Sequence, residues 1–151
     1  LYIARRLVRY ASEDIGMADS NALQVAVAAY QACHFLGMPE CDVHLAHAVI
    51  YLSMAPKSNS VYRACGSCKE DIQNLPAQPV PLSICNAPTE LMKELNYGRG
   101  YVYAHDTVEK MAKLQCLPDA LVGRRYYCPT EEGEEKQIKK QLEKIIQWKQ
   151  E

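Results

Sequence analysis

Two groups of cysteine and histidine side chains have spacings that suit redox or metal chemistry. Cys65 and Cys68 form a C-x-x-C motif, and Cys41, His44 and His47 recur every three residues. A redox motif of this kind starts a helix beside a strand, and a structural zinc site needs a second cysteine pair. Here the motif falls inside a predicted helix, with neither a preceding strand nor a second pair. We therefore predict packing roles for both cysteines, with redox and metal binding as the alternatives.

The histidine-containing group invites a transition-metal interpretation, because Cys41, His44 and His47 can share one face of a helix. The competing interpretation is that they are core and interface residues with local hydrogen bonds. No fourth ligand continues this spacing, which favours the second interpretation. We predict no metal ligand and no catalytic residue, and a stand-alone metal or thiol enzyme is the least favoured hypothesis.

Basic residues alternate with tyrosines and glycines in two later segments of the chain. Such segments can contact nucleic-acid phosphates while the aromatic rings stack on bases. The favoured alternative is that the tyrosines attach long loops to the helical core through packing and hydroxyl hydrogen bonds. The candidate DNA or partner contacts are Arg99, Tyr101, Arg124 and Arg125.

Motifs that bind nucleotides or activate a serine are missing from the sequence. It contains no G-x-x-x-x-G-K-[ST], no G-x-G-x-x-G and no G-x-S-x-G. We therefore expect that this chain is not an enzyme by itself and that it binds no cofactor.

Composition indicates one globular domain. The chain has 151 residues, 48% of them hydrophobic, with a formal net charge of -1. Its seven cysteines are an odd number, and no secretion signal precedes them, so we expect free thiols in a reducing cytoplasm. No apolar run is long enough to cross a bilayer. The sequence lacks an initiator methionine and opens inside an amphipathic pattern, from which we expect a piece of a longer protein.

Hydrophobic periodicity predicts an all-α, mainly helical fold. Short turns between the first helices favour an antiparallel bundle, followed by long ordered loops and a C-terminal helix. A single domain is expected over 1–151. The predicted elements are helices at 2–15, 22–36 and 40–54, a fourth helix capped by Ser58 or Asn59 and ending near 72, a short fifth helix that starts within 86–89 and ends near 95, and a last helix at 131–149. A proline-rich connector near 75–88, a possible strand at 101–103 and a helical turn near 107–114 are also predicted.

The second predicted helix carries two apolar stripes. One consists of Leu23, Val27, Tyr30 and His34, and the other, made of small residues, consists of Ala22, Ala26, Ala29 and Cys33. Small side chains let another backbone approach closely, so we predict that the small stripe contacts a second copy of the chain. The third helix is expected to bury Val43, Ala46, Val49, Ile50 and Leu52.

Several longer segments, in this order along the chain, carry a resemblance to a known family. They are Leu7–Gly16, Asn21–Cys41, Ala55–Asn59, Asn86–Thr89, Gly98–Tyr101, Tyr103–Asp106, Leu117–Asp119 and Gly123–Tyr127. Together they resemble the C-terminal domain of the replication-associated recombination protein A family, also called the MgsA or Werner-helicase-interacting-protein family. The resemblance covers nearly the whole chain.

The resemblance implies a clamp-loader-like AAA+ ATPase whose helical C-terminal domain forms a homo-tetramer. ATP and Mg²⁺ would be bound by an upstream AAA+ core that precedes Leu1. The implied partners are further copies of the chain, that core, DNA and single-stranded DNA-binding protein, with no membrane. The implied function is oligomerisation of a DNA-dependent ATPase at stalled forks and in recombination and repair. The implied location is the bacterial cytoplasm, at the nucleoid and replication fork. The alternative is a DNA- or partner-binding module of the same ATPase.

Overall fold

A computed structural model describes residues 1–150, and every regular element within them is a helix, which confirms the predicted fold class. Short 3₁₀ turns and irregular loops connect the helices, and the described residues include no strand. The helices are α1 (Tyr2–Tyr10), α2 (Asn21–Leu36), α3 (Asp42–Met54), α4 (Ser60–Asn74), α5 (Glu90–Glu94) and α6 (Glu135–Gln150).

The residues group into two compact units. The first holds Leu1–Glu70 together with the segment that begins at Tyr126, and the second holds Asp71–Arg125. The proline-rich connector lies inside the second unit. A single domain over the whole chain stays a prediction.

The core of the first unit is built from small residues on three helices that pack on one another, α1, α2 and α3. Alanines let these helices approach closely, and the larger Ile15 and Leu52 complete the same cluster. A π-helical turn, Ala11–Ile15, extends α1 and places Ile15 there. The buried residues of this cluster are Ala11, Ile15, Ala22, Ala26, Leu52 and Ala55.

The third helix departs from its predicted burial. Leu52 is buried as expected, but Val43 is 70% exposed, Val49 46% and Ile50 65%, and Ala46 is exposed as well. The prediction failed because α3 is apolar on nearly every side, so apolar character could not identify the inward face. The inward face is the one with Cys41, Ala48 and Leu52.

The second unit consists largely of ordered loops around α5. Thr89 caps this helix by accepting a hydrogen bond from the Met92 N–H at 3.3 Å. The possible strand at 101–103 is irregular extended chain, because no second strand is available to pair with it. The helical turn predicted near 107–114 is not formed: these residues are a turn followed by irregular chain, and 3₁₀ turns lie before and after them at Ala104–Asp106 and Asp119–Leu121.

None of the helices among residues 1–150 combines the length and the apolar composition that crossing a membrane requires.

Candidate functional site

The solvent side of α3 carries a continuous apolar stripe. Val43, His47, Ile50 and Met54 are spaced four, three and four residues apart, which places them along one side of a helix. Met54 is 82% exposed, and the other three are exposed as well. We call these four residues the α3 ridge. A surface helix normally carries charged side chains on this side.

Charged residues are almost absent from α2 and α3. Helix α2 has none apart from the titratable His34, and α3 has Asp42 in its first turn and the titratable His44 and His47. Leu23 and Val27 of α2 are exposed in addition to the α3 ridge. A helix that is apolar all round is usually covered on every side, and these helices are covered on one. The hairpin of α2 and α3 therefore presents a largely apolar surface with few charges to solvent.

The four residues of the predicted copy-to-copy contact lie on the inward side of α2. Ala22 and Ala26 are fully buried in the core of their own chain, and Ala29 and Cys33 are nearly so. They are buried because only small residues fit where α2 packs closely on its neighbours. The exposed side belongs to the other stripe, which holds Leu23 and Val27. The small stripe is thus unavailable to a second copy in this fold.

A shallow groove runs between α2 and α3. His44 and His47 line it together with small apolar residues. Its volume is about 200 Å³. The remaining lining residues are Val25, Ala28, Ala29 and Ala48.

A buried carboxylate at the start of α6 joins this helix to the rest of the first unit. Glu135 is fully buried, and its Oε2 accepts hydrogen bonds from Ser58 Oγ at 2.7 Å and from Thr130 Oγ1 at 2.6 Å. The Thr130 N–H also donates to Oε2, at 2.8 Å. Oε1 accepts hydrogen bonds from Ser60 Oγ and, at 2.8 Å, from Tyr127 Oη. We call these five residues the Glu135 centre.

Electrostatics at the Glu135 centre favour the ionised carboxylate. Burial by itself raises the pKa of Glu135, but hydrogen bonds from Ser60, Thr130 and Ser58 outweigh burial and lower the pKa to about 2. Burial, followed by the hydrogen bond to Glu135, raises the pKa of Tyr127 to about 12. At neutral pH the centre therefore holds a carboxylate and a protonated phenol.

Backbone contacts attach the same segment to the turn between α1 and α2. The Glu134 N–H donates to the Ala18 carbonyl at 2.8 Å, and Glu134 Oε2 accepts from Ser20 Oγ at 2.7 Å. Gly133 has φ +51, and a Cβ there would lie 2.1 Å from the Ala18 oxygen. Glycine is required at this position both for its backbone angle and for lack of space.

The segment 55–60 ends α3 and supplies two members of the Glu135 centre. The Lys57 ammonium donates to the Leu52 carbonyl at 2.8 Å and to the Ala55 carbonyl, where α3 has unsatisfied acceptors. The Ser58 N–H donates to the Asp14 carbonyl at 2.8 Å. This part of the chain thus fixes the end of α3 and anchors α6.

The candidate DNA contacts have different surroundings. Arg124 is paired with Asp71 through two hydrogen bonds of 2.7 and 2.8 Å. Arg99 donates to the Asn96 side chain at 3.0 Å. Tyr101 is 54% exposed, and Arg125 is exposed. The structure joins Arg99 and Tyr101 in one turn, where the Tyr101 N–H donates to the Gly98 carbonyl at 3.1 Å.

The cysteine and histidine side chains do not converge on a common site. Cys41 is buried, with its thiol 3.4 Å from the Met38 sulfur, whereas His44 and His47 are exposed. Cys65 and Cys68 lie within α4 as free thiols. No group of three or more histidine, cysteine, aspartate or glutamate side chains suited to a metal occurs among residues 1–150.

Comparison with known proteins places this helical domain in a family. A family profile described as "MgsA AAA+ ATPase C terminal" matches residues 1–146. The chain belongs to this family. It is therefore related to the C-terminal domain of replication- and recombination-associated AAA+ ATPases.

Named relatives occur in bacteria and in a eukaryote. Replication-associated recombination protein A of Coxiella burnetii is 48% identical over 143 residues, which are 94% of this chain and 32% of that protein. The protein of the same name from Escherichia coli K12 is 43% identical over 143 residues, again 94% of this chain and 32% of that protein. ATPase WRNIP1 of Dictyostelium discoideum is 42% identical over 136 residues, 86% of this chain and 16% of that protein. The chain spans 32% of the length of the first two relatives.

Sequence reasoning missed the Glu135 centre. The sequence has four glutamates near the predicted start of the last helix, at 131, 132, 134 and 135, and such a run by itself indicates only a favourable interaction with the helix dipole. The signal that distinguishes Glu135 is its position beside Thr130 and Tyr127 and directly after a glycine-containing turn. Its other partners, Ser58 and Ser60, are 77 and 75 residues away in sequence.

Proposed function

We propose that this domain joins copies of a replication-associated AAA+ ATPase through the apolar surface of the α2–α3 hairpin. The observation that carries the proposal is the α3 ridge, an apolar stripe on a helix with one charged residue. Removing such a stripe from water is favourable, because burial of apolar surface lowers the free energy.

A second copy of the same chain is the occupant that this surface favours. The α3 ridge carries no permanent charge with which a highly charged partner would pair. The ridge of one copy can instead pack against the ridge of another, because both are apolar. Closed symmetric assemblies are the usual outcome of such contacts. The tetramer implied by the family resemblance is the expected stoichiometry.

The assembly would hold several ATPase cores together around DNA. ATP and Mg²⁺ would bind to those cores and not to this domain. DNA and single-stranded DNA-binding protein would be partners of the whole ATPase, at the replication fork in the bacterial cytoplasm. The relatives' names refer to replication and recombination, which supports this assignment.

The proposal is tested by placing a charge on the α3 ridge. Ile50→Asp should convert assembled chain to monomer in sedimentation equilibrium at micromolar concentration. Burying an unpaired carboxylate in the contact costs about 3 kcal/mol, or roughly a hundredfold in the association constant. Ile72→Asp, at an apolar position 77% exposed on α4, is the matched control and should leave the mass unchanged. Equal masses for both variants and the wild type would overturn the assignment of the ridge.

A second candidate function is contact with single-stranded DNA through the loops of the second unit. Tyr101 and Tyr103 expose their rings, at 54% and 53%, and neither hydroxyl is hydrogen-bonded within residues 1–150. The Tyr103 ring also contacts the His105 ring in a tilted arrangement, with ring centres 5.1 Å apart. Exposed rings near Arg99, which shares a turn with Tyr101, suit base stacking combined with phosphate contact, and Arg125 is an exposed cation of the same unit.

Binding of a single-stranded oligonucleotide by the full-length ATPase tests this second function. Tyr101→Ala should weaken binding by about 1–3 kcal/mol, and Arg125→Glu should reduce its salt dependence. Lys69→Glu, on α4, is the charge-reversal control. Unchanged affinity and salt slope in both loop variants would exclude these loops from DNA binding.

A further inference from the structure

Histidine is the residue type that distinguishes the α2–α3 surface chemically. His47 lies in the middle of the α3 ridge, between Val43 and Ile50, and His44 lies beside it in the groove. Both are exposed in the single chain. Imidazole is the side chain whose ordinary pKa places its charge change between pH 5 and 8.

The surroundings of these two imidazoles offer no countercharge within the groove. Its other lining residues are valine and alanine. No salt bridge to either histidine occurs among the described residues. The elements that pack on one another here are α1, α2, α3 and the turns next to them. On α2 and α3 and the residues just before α3, the other titratable or charged side chains are Tyr30, Cys33, His34, Glu40, Cys41, Asp42 and Tyr51. On α1 and the turns that follow it, they are Tyr2, Arg5, Arg6, Arg9, Tyr10, Glu13, Asp14 and Asp19.

We propose that His44 and His47 make self-association of this chain pH-dependent, so that copies join when both imidazoles are neutral and separate when they are protonated. This inference rests on the proposed self-association through the same surface. It adds a regulatory property, a response to mild acid, that the apolar contact alone would not have.

The physical reason is desolvation. A contact that covers the α3 ridge removes water from His47 and reduces the access of water to His44. An apolar environment disfavours the charged form of histidine. Protons therefore bind more readily to the separated copies than to the assembly. Association is strongest above the ordinary histidine pKa and weakens as the pH falls through it.

The size of the effect follows from the fraction of neutral imidazole. For free histidine, whose pKa is about 6.5, that fraction falls roughly tenfold between pH 7.5 and pH 5.5. Each histidine that must be neutral lowers the association constant by the same factor. Two histidines on each of two copies set an upper limit of about 10⁴-fold, and at least a hundredfold weakening is expected.

Sedimentation equilibrium of the whole chain at pH 7.5 and pH 5.5 tests the inference. The wild type should associate at pH 7.5 and shift towards monomer at pH 5.5. The double variant His44→Gln/His47→Gln should associate equally at both pH values, because glutamine stays neutral. His105→Gln, in the second unit, is the matched control and should keep the wild-type pH dependence.

The possible outcomes separate the two proposals. A wild type that is monomeric at both pH values overturns the proposed self-association and, with it, this inference. Association that is equally strong at both pH values overturns the histidine inference alone, as does unchanged pH dependence in the double variant. If glutamine itself weakens the contact, His44→Leu/His47→Leu decides, since it keeps the surface apolar and should associate at both pH values. Circular dichroism at pH 5.5 should show intact helices, because the pKa of Glu135 is about 2 and the centre stays ionised.

Discussion

Replacing Glu135 by glutamine is the sharpest test of how α6 is attached. The carboxylate accepts five hydrogen bonds, and glutamine puts an NH₂ group where one acceptor oxygen now meets hydroxyl or N–H donors. The pKa falls from an ordinary 4.5 to about 2, which corresponds to about 3 kcal/mol in favour of the ionised form in the folded chain. Glu135→Gln should therefore lower the free energy of unfolding by about 3 kcal/mol at pH 7.

The pH dependence gives an independent check with a defined sign. Because the folded pKa of Glu135 is depressed, its stabilising contribution is fully present above about pH 4.5 and is lost as the pH falls towards 2. The stability difference between wild type and Glu135→Gln should thus be constant from pH 7 to pH 5 and shrink below pH 4.5. Other carboxylates titrate in both proteins, so the difference isolates Glu135.

Urea denaturation followed by tryptophan fluorescence is the appropriate assay. Trp148, the single tryptophan, lies half-buried on α6 and reports whether this helix is docked. Glu143→Gln, an exposed glutamate on the same helix, is the matched control and should change stability by less than about 0.5 kcal/mol. A loss below about 1 kcal/mol for Glu135→Gln, or a difference that persists unchanged to pH 2, would refute the role given to the buried carboxylate.

Three further variants test other contacts by urea denaturation. Gly133→Ala should lower the free energy of unfolding by at least about 3 kcal/mol, because its Cβ would lie 2.1 Å from the Ala18 oxygen. Gly123→Ala, at a position with φ +81 and open space, should lower it by about 1 kcal/mol. Equal losses in the two variants would contradict the close approach at Gly133. Tyr127→Phe should lower the free energy of unfolding by about 1–2 kcal/mol at pH 7. Because the pKa of Tyr127 in the folded chain is raised to about 12, the wild type should lose about 2 kcal/mol of stability between pH 10 and pH 12, and the variant should not. An alkaline transition that is unchanged in the variant would contradict this. Arg124→Ala should cost about 1 kcal/mol through its pairing with Asp71 and Arg125→Ala almost nothing, and the reverse order would be inconsistent with the pairing.

The sequence was sufficient to locate most helices because their caps and turns are local signals. Gly37 ends α2, and Thr89 caps α5, as their residue types predict. The last helix was placed four residues too early, since the Gly133 turn intervenes between Thr130 and its first residue, Glu135. A local acidic run contains no information about that turn.

The inward sides of α2 and α3 could not be predicted from apolar character alone. Both stripes of α2 are apolar, and the small one faces inward because alanine permits close helix packing. On α3 the large residues Val43 and Ile50 face solvent. The exposure of large apolar side chains, which a sequence pattern treats as core, is what identifies the candidate site.

The mass of the wild-type chain in solution tests the central claim most directly. Light scattering after size-exclusion chromatography, over a dilution series at pH 7.5, should give a multiple of 17.0 kDa, with four copies expected. The mass should decrease on dilution as copies separate. A constant 17.0 kDa at every concentration up to the micromolar range would contradict the claim that the α3 ridge is covered by other copies of this chain.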